Sequence, residues 1–143
     1  MKQQVPKASS SAILKTMKAN KGKDSKLELM VRHALWREGY RYRKNNRQLF
    51  GVPDISFPNL KIVVFLDSCF WHACPLHFVM PKSNTSYWVP KINRNIERDI
   101  EVSNHYLEDD WTLLRFWEHE VYNDLERVLK TIKYFVDEKK KLK

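Results

Sequence analysis

The sequence predicts an α/β domain, a central mixed sheet flanked by helices. Three observations predict it: a dense β-branched run at Lys61 to Leu66, a second apolar run at Trp111 to Trp117, and helical periodicity before, between and after them. A chain of 143 residues suffices for one compact domain and is short for two. Its apolar fraction of 43%, with five Trp, six Tyr and seven Phe, supplies a packed interior and excludes general disorder.

The elements follow in order. Met1 to Lys23 holds six Lys and no acidic residue, so residues 1–24 are assigned to a basic N-terminal arm and residues 25–143 to the folded domain. From Asp24 the apolar residues Leu27, Met30, Val31, Ala34 and Leu35 recur at helical spacing, with Asp24 or Ser25 as the cap and Gly39 near the end. Tyr40 to Lys44 alternates aromatic and basic residues as an extended ribbon does, and Asn45 to Gly51 turns the chain. Pro53 to Phe57 is a strand, Pro58-Asn59 a turn, and Lys61 to Leu66 a strand buried on both faces. Ser68 to Ser86, with Pro75 and Pro81, has little periodicity and reads as a long loop, of a kind usually held by a ligand. After Pro90, Ile92, Ile96 and Ile100 mark the stripe of a helix ending near Leu107. Trp111 to Trp117 is another central strand, and a helix over His119 to Phe135 precedes a solvated tail at Lys139 to Lys141. Ligands of such sheets gather where strand ends meet loops.

Lys and Arg outnumber Asp and Glu by 26 to 17, and a net charge of +9 favours a polyanionic partner, nucleic acid before anionic membrane. The absence of an eighteen-residue apolar run, and of an apolar centre in the N-terminal segment, predicts a soluble, intracellular protein. Two cysteines cannot build a disulfide framework, and close-set Cys with His nearby points to metal.

Cys69, Cys74 and His77 offer three ligands within nine residues, and the strand ending at Trp117 delivers His119 as a fourth. Two thiolates and two imidazoles complete a tetrahedral zinc shell, which implies a structural ion; the alternative is small core cysteines with solvated histidines. Asp54, opening a strand one strand before the run that ends at Leu66, fits either a hard-oxygen Mg²⁺ site or a turn-capping role, and spacing alone weighs them equally. Asn95 and Asp99 lie four apart at the edge of the isoleucine stripe. Asp99 fits a partner such as His72, but an ion pair with Arg94 or Arg98 on its own helix is the commoner arrangement. Phe70, Trp71, Tyr87 and Trp88 on the loop are either core plugs or wedges that stack against bases.

Several of these segments occur together in one known family. Gly51-Val-Pro-Asp54-Ile, then Val64 through Cys69-Phe-Trp-His72-Ala-Cys74-Pro-Leu-His77, Tyr87-Trp88, Lys91-Ile92, Asn95, Arg98-Asp99, Trp111 and Phe116-Trp117-Glu118 resemble the successive motifs of the very-short-patch (Vsr) mismatch repair nucleases. The likeness runs from about Met17 to Glu118, and the Cys-Phe-Trp-His-x-Cys-Pro block is its most specific part. It implies a restriction-endonuclease-like fold and a magnesium-dependent endonuclease. This enzyme nicks one strand beside the thymine of a T:G mismatch in double-stranded DNA. It also implies a bacterial cytoplasmic monomer, with mismatch repair proteins as further partners.

By the same resemblance Asp54 and the Leu66 carbonyl hold Mg²⁺, Glu28 binds metal waters, and His72 activates the attacking water with Asp99 holding its imidazole. Phe70, Trp71 and Trp88 form a wedge entering from the major groove, Met17 inserts from the opposite side, and Cys69, Cys74, His77 and His119 hold zinc. Three positions depart from the pattern. His119 stands where the family usually has Cys, and Ser68 replaces a usual Gly, predicting strain in the turn. Asp67 stands where some members have a His that pairs with the acid at Glu28, so two carboxylates would face each other. The competing readings are a Vsr-like nuclease with another target, of homing or phage type, and a zinc-stabilised nucleic-acid binder without catalysis. The presence of Asp54, His72 and Asp99 argues against the latter.

Overall fold

The computed structural model of the chain describes residues 25–143. The arm and its Met17 therefore lie outside the described residues. Helix α1 (Lys26–Arg37) starts where the Ser25 side chain accepts the Glu28 N–H, and it stops where Gly39 takes φ +90° and returns its N–H to Trp36. Strand β1 (Arg43–Lys44) is shorter than the alternating ribbon suggested. It pairs antiparallel with β2 (Ile55–Phe57), which pairs antiparallel with β3 (Ile62–Asp67) across a 3₁₀ turn at Pro58–Leu60. Helix α2 (Thr85–Glu108) crosses one face and returns the chain to β4 (Thr112–Trp117), parallel to β3. The four-stranded mixed sheet thus has the order β1-β2-β3-β4.

The expected final helix is two helices, α3 (Glu118–Asn123) and α4 (Leu125–Lys141), because Asp124 leaves helical geometry and caps the second by accepting the Arg127 N–H. The lysines expected as a tail belong to the last turns of α4, where positive charge suits the helix dipole.

Two apolar layers hold the sheet. On one face Val31 and Leu35 of α1, Val121 of α3, and Val128, Ile132 and Val136 of α4 pack on Ile55, Ile62, Val64 and Phe116. Each such side chain stabilises the fold by about 1.5–3 kcal/mol when fully buried. On the other face Val102 and Tyr106 of α2 cover Val63 and Phe65.

Helix α2 departs most from expectation. It begins five residues before Pro90, which lies in its second turn and costs one backbone hydrogen bond there. Ile92 is buried, but Ile96 and Ile100 are exposed, at 37% and 57%. The inward stripe is Trp88, Ile92, Asn95, Asp99, Val102 and Tyr106, so two polar residues occupy the middle of the covered face. The turn before β2 is docked on this helix. Gly51 has φ +76° and any Cβ there would lie 2.7 Å from a Val102 methyl, while Tyr106 donates its hydroxyl proton to the Phe50 carbonyl. That docking fixes the approach to Asp54.

Candidate active site and metal centre

The parallel register of β3 and β4 explains how residues fifty apart meet. Asp67 lies opposite Trp117, so the next two residues of each chain segment run on together and bring Cys69 beside His119. The Cys69 N–H donates to Glu118 Oε1 at 3.0 Å, which ties the two strand ends. His119 Nδ1 lies 3.5 Å from Cys69 Sγ and 3.6 Å from Cys74 Sγ, and His77 Nδ1 lies 3.7 Å from Cys74 Sγ. All four donor atoms fall within 4.8 Å of one another. A tetrahedral ion bonded to sulfur at ~2.3 Å and nitrogen at ~2.0–2.1 Å needs sulfur–nitrogen edges of about 3.6 Å, which these three sulfur–nitrogen distances match. Burial, with Cys74 and Glu118 nearby, pushes the Cys69 thiol up to about 11, although a backbone hydrogen bond at His119 opposes the shift. The thiolate form therefore needs a cation beside it.

The second cluster lies on the other side of the same strand end. Asp54 Oδ2 accepts the Leu66 N–H at 2.7 Å, which brings the start of β2 against the end of β3. Burial and the neighbouring Glu28 and Asp67 carboxyls push Asp54 up to about 7, against the pull of the Leu66 hydrogen bond. Glu28, in the first turn of α1, accepts from Arg32 Nη2 at 3.0 Å, and the same nitrogen donates to the Asp54 carbonyl at 3.1 Å. Glu28, Asp54, Leu66, Asp67 and His72 line one cleft of about 250 Å³.

His72 and Asp99, from the loop and from α2, meet at 2.6 Å through Nδ1 and Oδ2. Asp99 thus pairs with the histidine and not with Arg94 or Arg98. Burial disfavours charge on His72, but the Asp99 hydrogen bond and the charges of Asp67 and Asp99 outweigh it and raise its pKa, with Arg115 opposing. Beyond His72 the cleft continues into a groove of about 370 Å³ that Lys91, Asn95, Arg98 and Arg115 line.

The start of the loop is held at Trp71. The Ser68 hydroxyl accepts the Trp71 N–H at 3.0 Å, and Asn95 Nδ2 donates to the Trp71 carbonyl at 3.0 Å. Ser68 does not take positive φ, so the strain expected from replacing glycine there is absent; the hydroxyl supplies a turn hydrogen bond instead. Phe70, Trp71 and Trp88 form one aromatic cluster, with ring centroids 5.2–5.8 Å apart. Trp88 belongs to α2, not to the loop, and is 2% exposed, whereas Phe70 and Trp71 are half-buried above it.

Sequence reasoning missed three residues of this region. Arg32 ties Glu28 to the Asp54 backbone, Glu118 ties the strand ends, and Arg115 grips Asp67 through Nε and Nη2, both at 2.9 Å. The available signals were Arg32 four residues after Glu28 on a buried helix face, and a lone charged residue within the apolar β4.

Comparison with known proteins places this arrangement. A family model described as DNA mismatch endonuclease Vsr matches residues 7–76. The DNA mismatch endonuclease Vsr of Escherichia coli (strain K12) is 33% identical over 106 residues, 73% of this chain and 67% of that protein. The chain belongs to the Vsr family. It is a DNA endonuclease, a hydrolase. Other Vsr-family relatives are type II nicking enzymes. V.NaeI of Lentzea aerocolonigenes is 44% identical over 115 residues, 77% of this chain and 69% of its own length. V.NmeDIP of Neisseria meningitidis serogroup C is 38% identical over 130 residues, 90% of this chain and 88% of its own. None of the described helices of this Vsr-family chain is long and apolar enough to cross a membrane.

Proposed function

We propose that this Vsr-family endonuclease nicks one strand of double-stranded DNA beside the thymine of a T:G mismatch, in a Mg²⁺-dependent reaction of very-short-patch repair. One observation carries the reading: the carboxylates of Glu28, Asp54 and Asp67 line one cleft with His72, and His72 with Asp99 lines the basic groove beyond it. Carboxylates suit a hard cation and the groove suits the phosphate backbone.

Asp54 and the Leu66 carbonyl hold magnesium in this reading, and Glu28 orders its waters. When bound, the ion supplies Lewis acidity to the scissile phosphate. Asp99 accepts the Nδ1 proton of His72, which leaves Nε2 free to take a proton from the attacking water. The water oxygen bonds to phosphorus as the bond to the leaving oxygen breaks. Cys69, Cys74, His77 and His119 hold a structural zinc that fixes the loop bearing His72. Phe70 and Trp71, backed by Trp88, wedge at the mismatch, where a wobble pair resists unstacking less than a matched one. The name of the relatives as nicking enzymes supports single-strand cleavage.

The test is a labelled duplex carrying one T:G pair beside its matched counterpart, at fixed salt, with and without Mg²⁺. Nicking should require Mg²⁺, favour T:G, and fall on the thymine strand. Trp71→Ala removes a stacking surface worth ~1–3 kcal/mol per base and should lose more on T:G than on matched duplex. Cleavage in chelator, or equal cleavage of both duplexes, overturns the proposal.

A further inference from the structure

Two carboxylates approach the same imidazole nitrogen of His72. Asp99 Oδ2 lies at 2.6 Å and Asp67 Oδ1 at 3.6 Å from Nδ1. Only one of them can take the Nδ1 proton, and the other must be held off and its charge offset. Arg115 does both in this arrangement. Its Nε and Nη2 close a bidentate fork on Asp67 Oδ2 and Oδ1, each at 2.9 Å, and Nη2 also reaches Asp99 Oδ1 at 3.3 Å. The remaining Nη1 donates to Ser103 Oγ on α2 at 3.3 Å, and the guanidinium lies 4.5 Å over the Phe65 ring.

The fork is built by the fold. Phe65 and Arg115 are partners in the parallel register of β3 and β4, and Asp67 is two residues further on the same face of β3. A rigid strand pair therefore presents the guanidinium to Asp67, while α2 brings Asp99 and Ser103 from above. Lysine cannot reproduce this geometry, since its ammonium has no planar fork.

We propose that Arg115 is a positioning residue of the nuclease: it locks Asp67 away from the His72 proton and aligns Asp99 on Nδ1, so that Nε2 faces the reacting water in one tautomer. The inference rests on the proposed role of the His72–Asp99 pair. Arg115 also lines the groove, but its hydrogen bonds go to Asp67, Asp99 and Ser103, and it acts on the chemical step through the two carboxylates.

The experiment compares Arg115→Met, Arg115→Lys, Asp99→Asn and the double variant Arg115→Met/Asp99→Asn in the intact protein. Single-turnover nicking at saturating enzyme, DNA affinity, melting and the ring ¹H–¹⁵N NMR signals of His72 are recorded for each. Arg115→Met should slow the chemical step by about 10–100-fold, the usual effect of removing a partner of a reacting group; Tm should fall because buried Asp67 loses its partner, and saturating enzyme separates the rate from any loss of affinity. The His72 Nδ1–H signal should move or broaden, reporting a lost alignment. Arg115→Lys should recover part of the rate. The double variant should lose less than the product of the two single losses, because part of the arginine's effect passes through Asp99. A near-normal rate with an unmoved His72 signal, or rate losses that multiply in the double variant, overturns the inference. If Asp99→Asn nicks normally, the assignment of the pair itself is wrong, and a His72 signal unmoved in Arg115→Met still rejects the positioning role on its own.

Discussion

At the scale of single residues, Asp54 shows how burial prepares a carboxylate for a cation. It is pushed up to about 7 by burial first and by Glu28 and Asp67 next, although Leu66 donates a hydrogen bond to its charged form. A carboxyl raised on folding contributes stability that is complete below its unfolded pKa and is lost as pH rises through the folded value, here about 7. The metal-free protein should therefore lose stability from Asp54 between about pH 4 and 7, and a cation should restore it where the charged form dominates. Mg²⁺ should raise Tm more at about pH 8 than at about pH 6, and Asp54→Asn should abolish that difference. Asp54→Ala should keep fold and DNA binding yet lose nicking by several orders of magnitude. Equal Tm shifts at the two pH values, or near-normal cleavage by the alanine variant, would contradict the role given to Asp54.

At the scale of elements, the loop from Ser68 to Asn84 and the end of β4 are joined through the Cys69, Cys74, His77 and His119 cluster. One zinc per chain should be found by elemental analysis, and chelation should lower Tm because ion binding is coupled to folding. Cys74→Ala should lose the ion, whereas His119→Cys, which keeps a soft donor at the strand end, should retain it. Metal-free preparations that melt like the native protein would rule the site out.

The same elements show what is legible in the sequence. The Cys and His spacing, the β-branched run of β3 and the Ser25 cap are local signals, and each lies in the structure where its chemistry suggests. Helix α2 misleads because the site itself breaks its pattern. Asn95 and Asp99 sit on the covered face, held by the Trp71 carbonyl and by His72 with Arg115, while Ile96 and Ile100 point outward and imitate an apolar stripe. The role of Arg115 is hidden for a related reason: a lone charge marks it in β4, but its partner comes from a strand register, and no spacing within one segment encodes that. The Asp67 pairing is likewise a tertiary fact, for Arg115 reaches it from the neighbouring strand.

At the scale of the whole molecule, the excess positive charge is unevenly placed along the chain. Residues 1–23 carry six Lys and no acid, leaving only three of the net nine charges to all remaining residues. Some cations of the folded part are also engaged internally: Arg32 with Glu28, Arg115 with Asp67, and Lys133 with Glu38. Nonspecific attraction to duplex DNA should therefore depend mainly on the arm, while the cleft decides where the strand is cut. Removing residues 1–23 should weaken binding to T:G and matched duplexes by similar factors. It should also flatten the dependence of log K on log salt by about 0.9 for each phosphate that the arm no longer neutralises. Zinc content and Tm of the shortened protein should match the full chain, since the metal cluster and both apolar layers lie within residues 25–143. Affinity titrations over a salt series, on both duplexes and both lengths of chain, measure this directly. An unchanged slope would show that the six lysines neutralise no phosphate and that the Lys91 and Arg98 groove carries the backbone alone.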